Sequence, residues 1–235
     1  MWILGMMACS GDSVEPPPPP PVGESGVVTL STRDGVELVG DVYAGEPGSA
    51  GVVLLHMTPS GPWNRGDWPA SFISKLTDEG WSVLAIDRRG AGESGGDPVD
   101  AYEGEAGRYD VEAAVIELDR RGVGPIALIG ASNGTTSALD YAVWAGSEGL
   151  PVPVALGMMT GGSYTENQNP MSDLGDTPTV FTYSTAERDW SVEQQAIAAD
   201  SWVFEEYPNG AHGTQMFDVA PEVEDDLAAF FAAIL

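Results

Sequence analysis

The chain has 235 residues, enough for one core of ordinary size, with 43% hydrophobic residues spread along it. Acidic residues number 36 against 9 basic ones, a formal net charge of -27. That imbalance excludes nucleic-acid binding, which needs basic patches to hold phosphates, and it repels other anions. Two histidines and a single cysteine are too few for a zinc cluster of the usual spacing, and no cofactor is called for.

The first segment, Met1 to Cys9, is a short apolar run that ends at the only cysteine, followed by Ser10, Gly11 and a run of prolines from Pro16 to Pro21. It resembles the end of a bacterial lipoprotein signal, in which Cys9 is lipidated and Ala8 precedes the cleavage point. The apolar run is shorter than a normal signal core and no positive residue precedes it, so a start upstream of Met1 is one expectation and an unprocessed tail the other. A proline tract forms neither helix nor ladder and stands as a stiff spacer, suited to a domain held off a membrane. We expect residues 1–25 to be this leader and linker, residues 26–235 to be one domain, and the protein to sit lipid-anchored at a bacterial cell envelope, or otherwise to be soluble.

From there the chain alternates. Val27 to Leu30 and Val36 to Tyr43, split by the turn Arg33-Asp34-Gly35, read as an antiparallel start. Val52 to Leu55, Trp81 to Ile86, Pro125 to Ile129, Val152 to Met159, a run from Thr179 and Trp202 to Phe204 are short apolar segments suited to buried strands. Between them, Asp67 to Leu76 and Asp110 to Leu118 carry apolar residues at helical spacing behind an aspartate suited to capping, and a helix follows Ser132. Val223, Leu227, Phe230, Phe231 and Ile234 share one face of a closing helix. This order predicts an α/β fold with a mostly parallel sheet covered on both faces. The segment from Thr160 to Pro178 is polar, rich in glycine and asparagine, and too short and polar to form a cap domain, which predicts an open site beside a short mobile loop.

Chemistry is concentrated at Gly130-Ala131-Ser132-Asn133-Gly134. A serine hydroxyl is a poor nucleophile unless it is exposed on a sharp strand-to-helix turn beside a base, and G-x-S-x-G between an apolar run and a helical segment makes that turn. Ser132 is therefore the candidate nucleophile. His212 lies among turn residues, Tyr207-Pro208-Asn209-Gly210-Ala211-His212-Gly213, where a base can reach another element. Asp189 follows the apolar run Val180 to Tyr183 and is the expected acid, with Glu187 as the runner-up. In this reading His212 takes the serine proton and returns it to the leaving group, while Asp189 sets the tautomer. The bland alternative for Asp189 is a solvated loop carboxylate.

The order Ser132, Asp189, His212, together with Val52-Val53-Leu54-Leu55-His56-Met57-Thr58 and Asp87-Arg88-Arg89-Gly90-Ala91-Gly92-Glu93-Ser94, resembles the α/β-hydrolase superfamily, and within it the capless dienelactone-hydrolase-like group. The resemblance runs from Val27 to Leu235. It implies an oxyanion hole from the backbone N–H of Asn133 and a second N–H from the loop after His56, at Thr58 or alternatively Met57, which stands where a glycine is common. Such donors are worth roughly 3 to 4 kcal/mol each. His56 and the turn from Asp87 to Ser94 read as braces, with Arg89 bonded to carbonyls or a carboxylate. Dienelactone hydrolases proper use a cysteine where this chain has Ser132, so the resemblance names no substrate. The expected activity is hydrolysis of a carboxylic ester, on a small molecule or a polymer end, through an acyl-enzyme. A peptidase or amidase on the same triad and a silent, surface-anchored binding module are the alternatives. Oligomeric state is not legible.

Overall fold

The computed structural model describes residues 24–102 and 104–235; the Cys9 expectation and the proline tract lie outside the described residues. Eight strands form one sheet: β1 (Gly26–Ser31), β2 (Glu37–Tyr43), β3 (Gly51–Leu55), β4 (Ser82–Ile86), β5 (Ile126–Ala131), β6 (Ala155–Met159), β7 (Thr179–Ser184) and β8 (Trp202–Tyr207). Their order across the sheet is β1-β2-β4-β3-β5-β6-β7-β8. β2 runs antiparallel to β1 and β4, and every pairing from β4 to β8 is parallel. Among the described residues six α-helices accompany it: α1 (Ala70–Asp78), α2 (Gly104–Arg120), α3 (Asn133–Glu148), α4 (Asp189–Gln195), α5 (Met216–Val219) and α6 (Glu222–Ala232).

The uninterrupted apolar strands follow from burial on both faces. β3 is fully buried, and its side chains alternate: Val53 and Leu55 pack into the layer with Val111, Leu118 and Leu139 of α2 and α3, while Val52 and Leu54 meet Phe72 and Leu76 of α1 and Leu227 and Phe231 of α6. The α1 and α6 layer is aromatic, with Trp68, Phe72 and Phe217 in mutual contact at ring separations of 5.1 to 6.2 Å. Truncating fully buried Phe231 to alanine would cost about 3 to 5 kcal/mol.

Three local expectations change. Asp110 does not cap a helix. α2 starts earlier, at Gly104, and Asp110 is buried inside it, accepting Arg89 N–H and Nε–H at 2.9 Å each. Asp67 closes a capping box with Asn64 ahead of α1, which itself begins after Pro69. The segment from Thr160 to Pro178 forms no cap, as expected, yet it is pinned, not loose: Glu166 N–H bonds Tyr102 O at 3.0 Å, Asn169 N–H bonds Asp140 at 2.7 Å, and the Thr165 and Thr136 hydroxyls meet at 2.5 Å.

Parallel register sets the carboxyl ends of the strands side by side, because Leu55 pairs with Ile86 and Gly130, Ala131 with Met159, and Ser184 with Tyr207. The loops that leave these ends converge on one edge, where ligands of open α/β sheets bind.

Candidate active site

Ser132 sits between β5 and α3 at φ 51° and ψ -125°, a conformation rarely adopted by a residue with a side chain. Its backbone is held there by Ser132 N–H to Met159 O at 2.8 Å and by Thr135 N–H and Oγ1–H to Ser132 O at 2.9 and 2.7 Å. Glycines permit the turn: a Cβ on Gly130 would fall 2.5 Å from the Gly134 carbonyl, and one on Gly134 would fall 2.4 Å from Leu55 O. The strain, on the order of 1 to 3 kcal/mol, lifts the hydroxyl out at the head of α3.

His212 is brought to it from the loop after β8. Gly213 turns the chain at φ 54° and its N–H bonds Thr160 Oγ1 at 3.0 Å. A Cβ on Gly213 would fall 2.4 Å from Met57 Sδ, so the buried Met57 side chain fills the space that this glycine leaves. His212 Nε2 stands 2.6 Å from Ser132 Oγ and His212 Nδ1 2.9 Å from Glu187 Oε2. A carboxylate only accepts, so Nδ1 carries the proton and Nε2 is left to accept from the serine.

Asp189 is a correction. It is exposed and opens α4, where a negative side chain suits the helix N-terminus, and no hydrogen bond or ion pair joins it to His212 among the described residues. Glu187 ends the 3-10 turn that leaves β7, on the side that faces the histidine. By two residues later the chain has already rotated into α4, and the aspartate faces out. The neighbouring Arg188 pairs with Glu206 at 3.0 Å, away from the histidine.

On the other side of the serine, Asn133 is the first residue of α3, so its backbone N–H has no acceptor within the helix. Its side chain is fixed by Arg88 Nη1 at 2.9 Å and by a bond to Thr165 Oγ1 at 3.1 Å. Thr58 bonds Ser60 through the hydroxyls at 3.1 Å, and Ser60 bonds Tyr102 at 2.7 Å. His56 is a brace, since its Nε2 accepts Arg88 N–H at 2.9 Å, and burial pushes its pKa down to about 3, which keeps it neutral. Arg89 bonds the carboxylates Asp110 and Asp34, and Gly92 lets the turn close over Asp87, whose carboxylate would lie 2.1 Å from a Cβ there.

Two residues of the site had no sequence signal. Arg88 occupies an unspecified position of the D-x-R-G turn, yet it is fully buried and donates to Met57 O at 3.1 Å, Asn133 Oδ1 at 2.9 Å and Ser137 Oγ at 2.7 Å. Its direct acceptors are neutral, and burial pushes its pKa down to about 10. Tyr164, on the segment after β6, donates its hydroxyl to Thr160 O at 3.0 Å and presents its ring edge-on to His212 at 6.2 Å. A cavity of about 690 Å³ between α2, α3 and residues 166–169 is lined by none of Ser132, His212 and Glu187. Among the described residues no group of three or more His, Cys, Asp or Glu side chains is arranged to hold a metal ion, and no helix is long and apolar enough to cross a membrane.

A family model described as serine aminopeptidase, S33, matches residues 60–235. No curated protein matches the sequence. Among solved structures, an esterase of Pyrococcus furiosus superposes with a TM-score of 0.70 at 19% identity, over 90% of this chain and 91% of that one. A serine α/β hydrolase without a lid, from Xanthomonas campestris, gives 0.68 at 17% identity, over 90% and 95%. An esterase of a Rhodococcus species gives 0.68 at 15% identity, over 89% and 99%. Identities this low speak for the shared fold.

Proposed function

This chain belongs to the serine aminopeptidase, S33, family of α/β hydrolases, and from that membership we propose that it is a serine hydrolase that cleaves a carboxylic ester through an acyl-enzyme. The observation that carries the reading is the unbroken line from Ser132 Oγ through the imidazole of His212 to Glu187, with contacts of 2.6 and 2.9 Å. Ser132 attacks the carbonyl carbon as its proton passes to His212 Nε2, and the imidazolium is stabilised by Glu187. The backbone N–H of Asn133 and that of Thr58, or of Met57, receive the oxyanion. His212 then gives its proton to the departing alcohol, and water releases the acid by the same steps in reverse.

Esters are preferred because no cap encloses the site among the described residues, and structural relatives at the level of the fold include two esterases. The second reading, cleavage of an amide or peptide, is favoured by the family's description. A silent binding module is disfavoured by the short contact between nucleophile and base. The substrate is a small-molecule ester or a polymer end. We further propose residues 26–235 as the catalytic domain and residues 1–25 as a leader and spacer that tethers it, through a lipid on Cys9, to a bacterial envelope.

The deciding experiment is labelling with a fluorophosphonate probe, with the adduct located by mass spectrometry, alongside turnover of nitrophenyl acetate and of an aminoacyl nitroanilide. Ser132 should carry the adduct, and Ser132→Ala should lose both label and turnover, by roughly 10⁴-fold or more. Turnover that survives in that variant ends the proposal. Faster cleavage of the anilide than of the ester would move the substrate class to amides.

A further inference from the structure

We propose that Tyr164 is a further catalytic residue, one that orients the water that hydrolyses the acyl-enzyme; the inference rests on the acyl-enzyme reading above. An attacking water has two O–H bonds. One gives its proton to His212 Nε2, and the other must find a second acceptor if the oxygen lone pair is to point at the acyl carbon. Tyr164 is built to be that acceptor. Its own proton is committed to Thr160 O at 3.0 Å and its ring stands edge-on to His212 at 6.2 Å, so the phenol oxygen keeps its lone pairs free beside the imidazole. Burial holds the group above the usual tyrosine range, which keeps it a neutral phenol.

The two acceptors are locked to each other through one residue. Thr160, at φ 49°, takes the tyrosine proton on its carbonyl and the Gly213 N–H, next to His212, on its hydroxyl at 3.0 Å. Tyr164 has little room to leave. A Cβ on Gly162 would lie 2.4 Å from its ring, so the ring rests on that glycine. Gln168 clamps the turn by accepting Tyr164 N–H at 3.2 Å and donating to Gly162 O at 3.1 Å. In the step itself the water oxygen bonds to the acyl carbon while one O–H bond breaks and its proton moves to His212 Nε2. Collapse breaks the bond from carbon to Ser132 Oγ, the proton returns from Nε2 to that oxygen, and a carboxylic acid leaves. The second O–H stays intact throughout, bonded to Tyr164.

Acylation requires no such water, and neither does an alcohol, which has only one O–H. The test is therefore pre-steady-state and steady-state hydrolysis of nitrophenyl acetate by wild type and Tyr164→Phe, with and without methanol. Fluorophosphonate labelling and the kcat/KM for nitrophenol release, which report acylation, should stay within about 2-fold. The kcat should fall about 10-fold or more with KM falling in step, and methanol should accelerate nitrophenol release more in the variant than in wild type. Equal losses in kcat and kcat/KM, or water and methanol slowed alike, would overturn the role. Loss of labelling at Ser132 in the wild type would instead sink the acyl-enzyme reading. A folded Tyr164→Phe protein with wild-type kcat also ends the proposal.

Discussion

Replacing Glu187 by glutamine tests the proposed acid of the site, and the size of the effect follows from exposure. The side chains of Glu187 and His212 are 40% and 34% exposed, so their 2.9 Å contact sits near the surface. Unit charges about 4 Å apart attract by about 1 kcal/mol in water and about 4 kcal/mol at the effective permittivity near a protein surface. For a pair this open the lower half of that range applies, about 1 to 2.5 kcal/mol of imidazolium stabilisation, or a loss of roughly 5- to 70-fold in kcat. A glutamine in this place is free to turn its amide oxygen to Nδ1–H, because among the described residues only Oε2 of Glu187 is engaged. The tautomer then survives and the charge alone is lost, so the effect stays well below the roughly 10⁴-fold known for a buried triad aspartate changed to asparagine. Glu187→Ala, which removes the acceptor as well, should lose more than Glu187→Gln. Asp189→Asn should change kcat by less than about 2-fold. The assay is steady-state turnover of nitrophenyl acetate on variants whose circular dichroism matches wild type. A collapse in Asp189→Asn with Glu187→Gln intact would refute the argument and restore the aspartate.

Three further outcomes are expected. Asp140 is buried with Oδ2 unpartnered among the described residues, and burial pushes its pKa up to about 6 from 3.8. The folded state thus binds a proton more readily than the unfolded chain, and stability from this group is present below pH 3.8 and lost as pH rises through 6. Asp140→Asn keeps the acceptor for Asn169 N–H, so it should stabilise the protein at pH 8 by something on the order of 3 kcal/mol, with no gain near pH 4, by denaturant melts at both; a gain that is flat with pH would show the carboxylate is not strained. Arg88→Met leaves the Met57 carbonyl and the Asn133 amide oxygen without their donor, at about 1 to 3 kcal/mol each, offset in part by removing a buried charge. It should lower both the melting temperature and kcat, the latter by about 10-fold, and unchanged values of both would remove Arg88 from the support of the site. For the leader, expression of the full reading frame in a bacterial host should give a membrane-associated protein with an acyl-glyceryl mass on Cys9. Cys9→Ser should be released with catalysis unchanged, and an intact Met1 terminus on soluble wild type would end the lipoprotein idea.

Much of this protein was legible before any fold was known, because the signals are local. A strand buried on both faces must be apolar throughout, so β3, β4 and β5 declare themselves. A serine that needs a left-handed turn under crowding backbone must be flanked by small residues, so Gly130 and Gly134 mark Ser132. A turn-rich loop able to reach another element marks His212 as the candidate base. The choice between Glu187 and Asp189 was of another kind. Both carboxylates lie just past β7, two positions apart, and only the place where the 3-10 turn gives way to α4 decides which of them faces the imidazole. Asp110 misled for the same reason. An aspartate ahead of a helical run looks like a cap, and only packing against Arg89 on the turn after β4 shows it to be the inward partner of an ion pair. Arg88 and Tyr164 could not be read at all, since their roles consist of contacts with residues 31 or more positions away for the arginine, and for the tyrosine of a pinned segment that its polar composition had suggested was loose. Sequence determines what each segment is able to form. Which side chains meet across the carboxyl edge of the sheet depends on the register of β3 to β8 and on the loops that this register brings together.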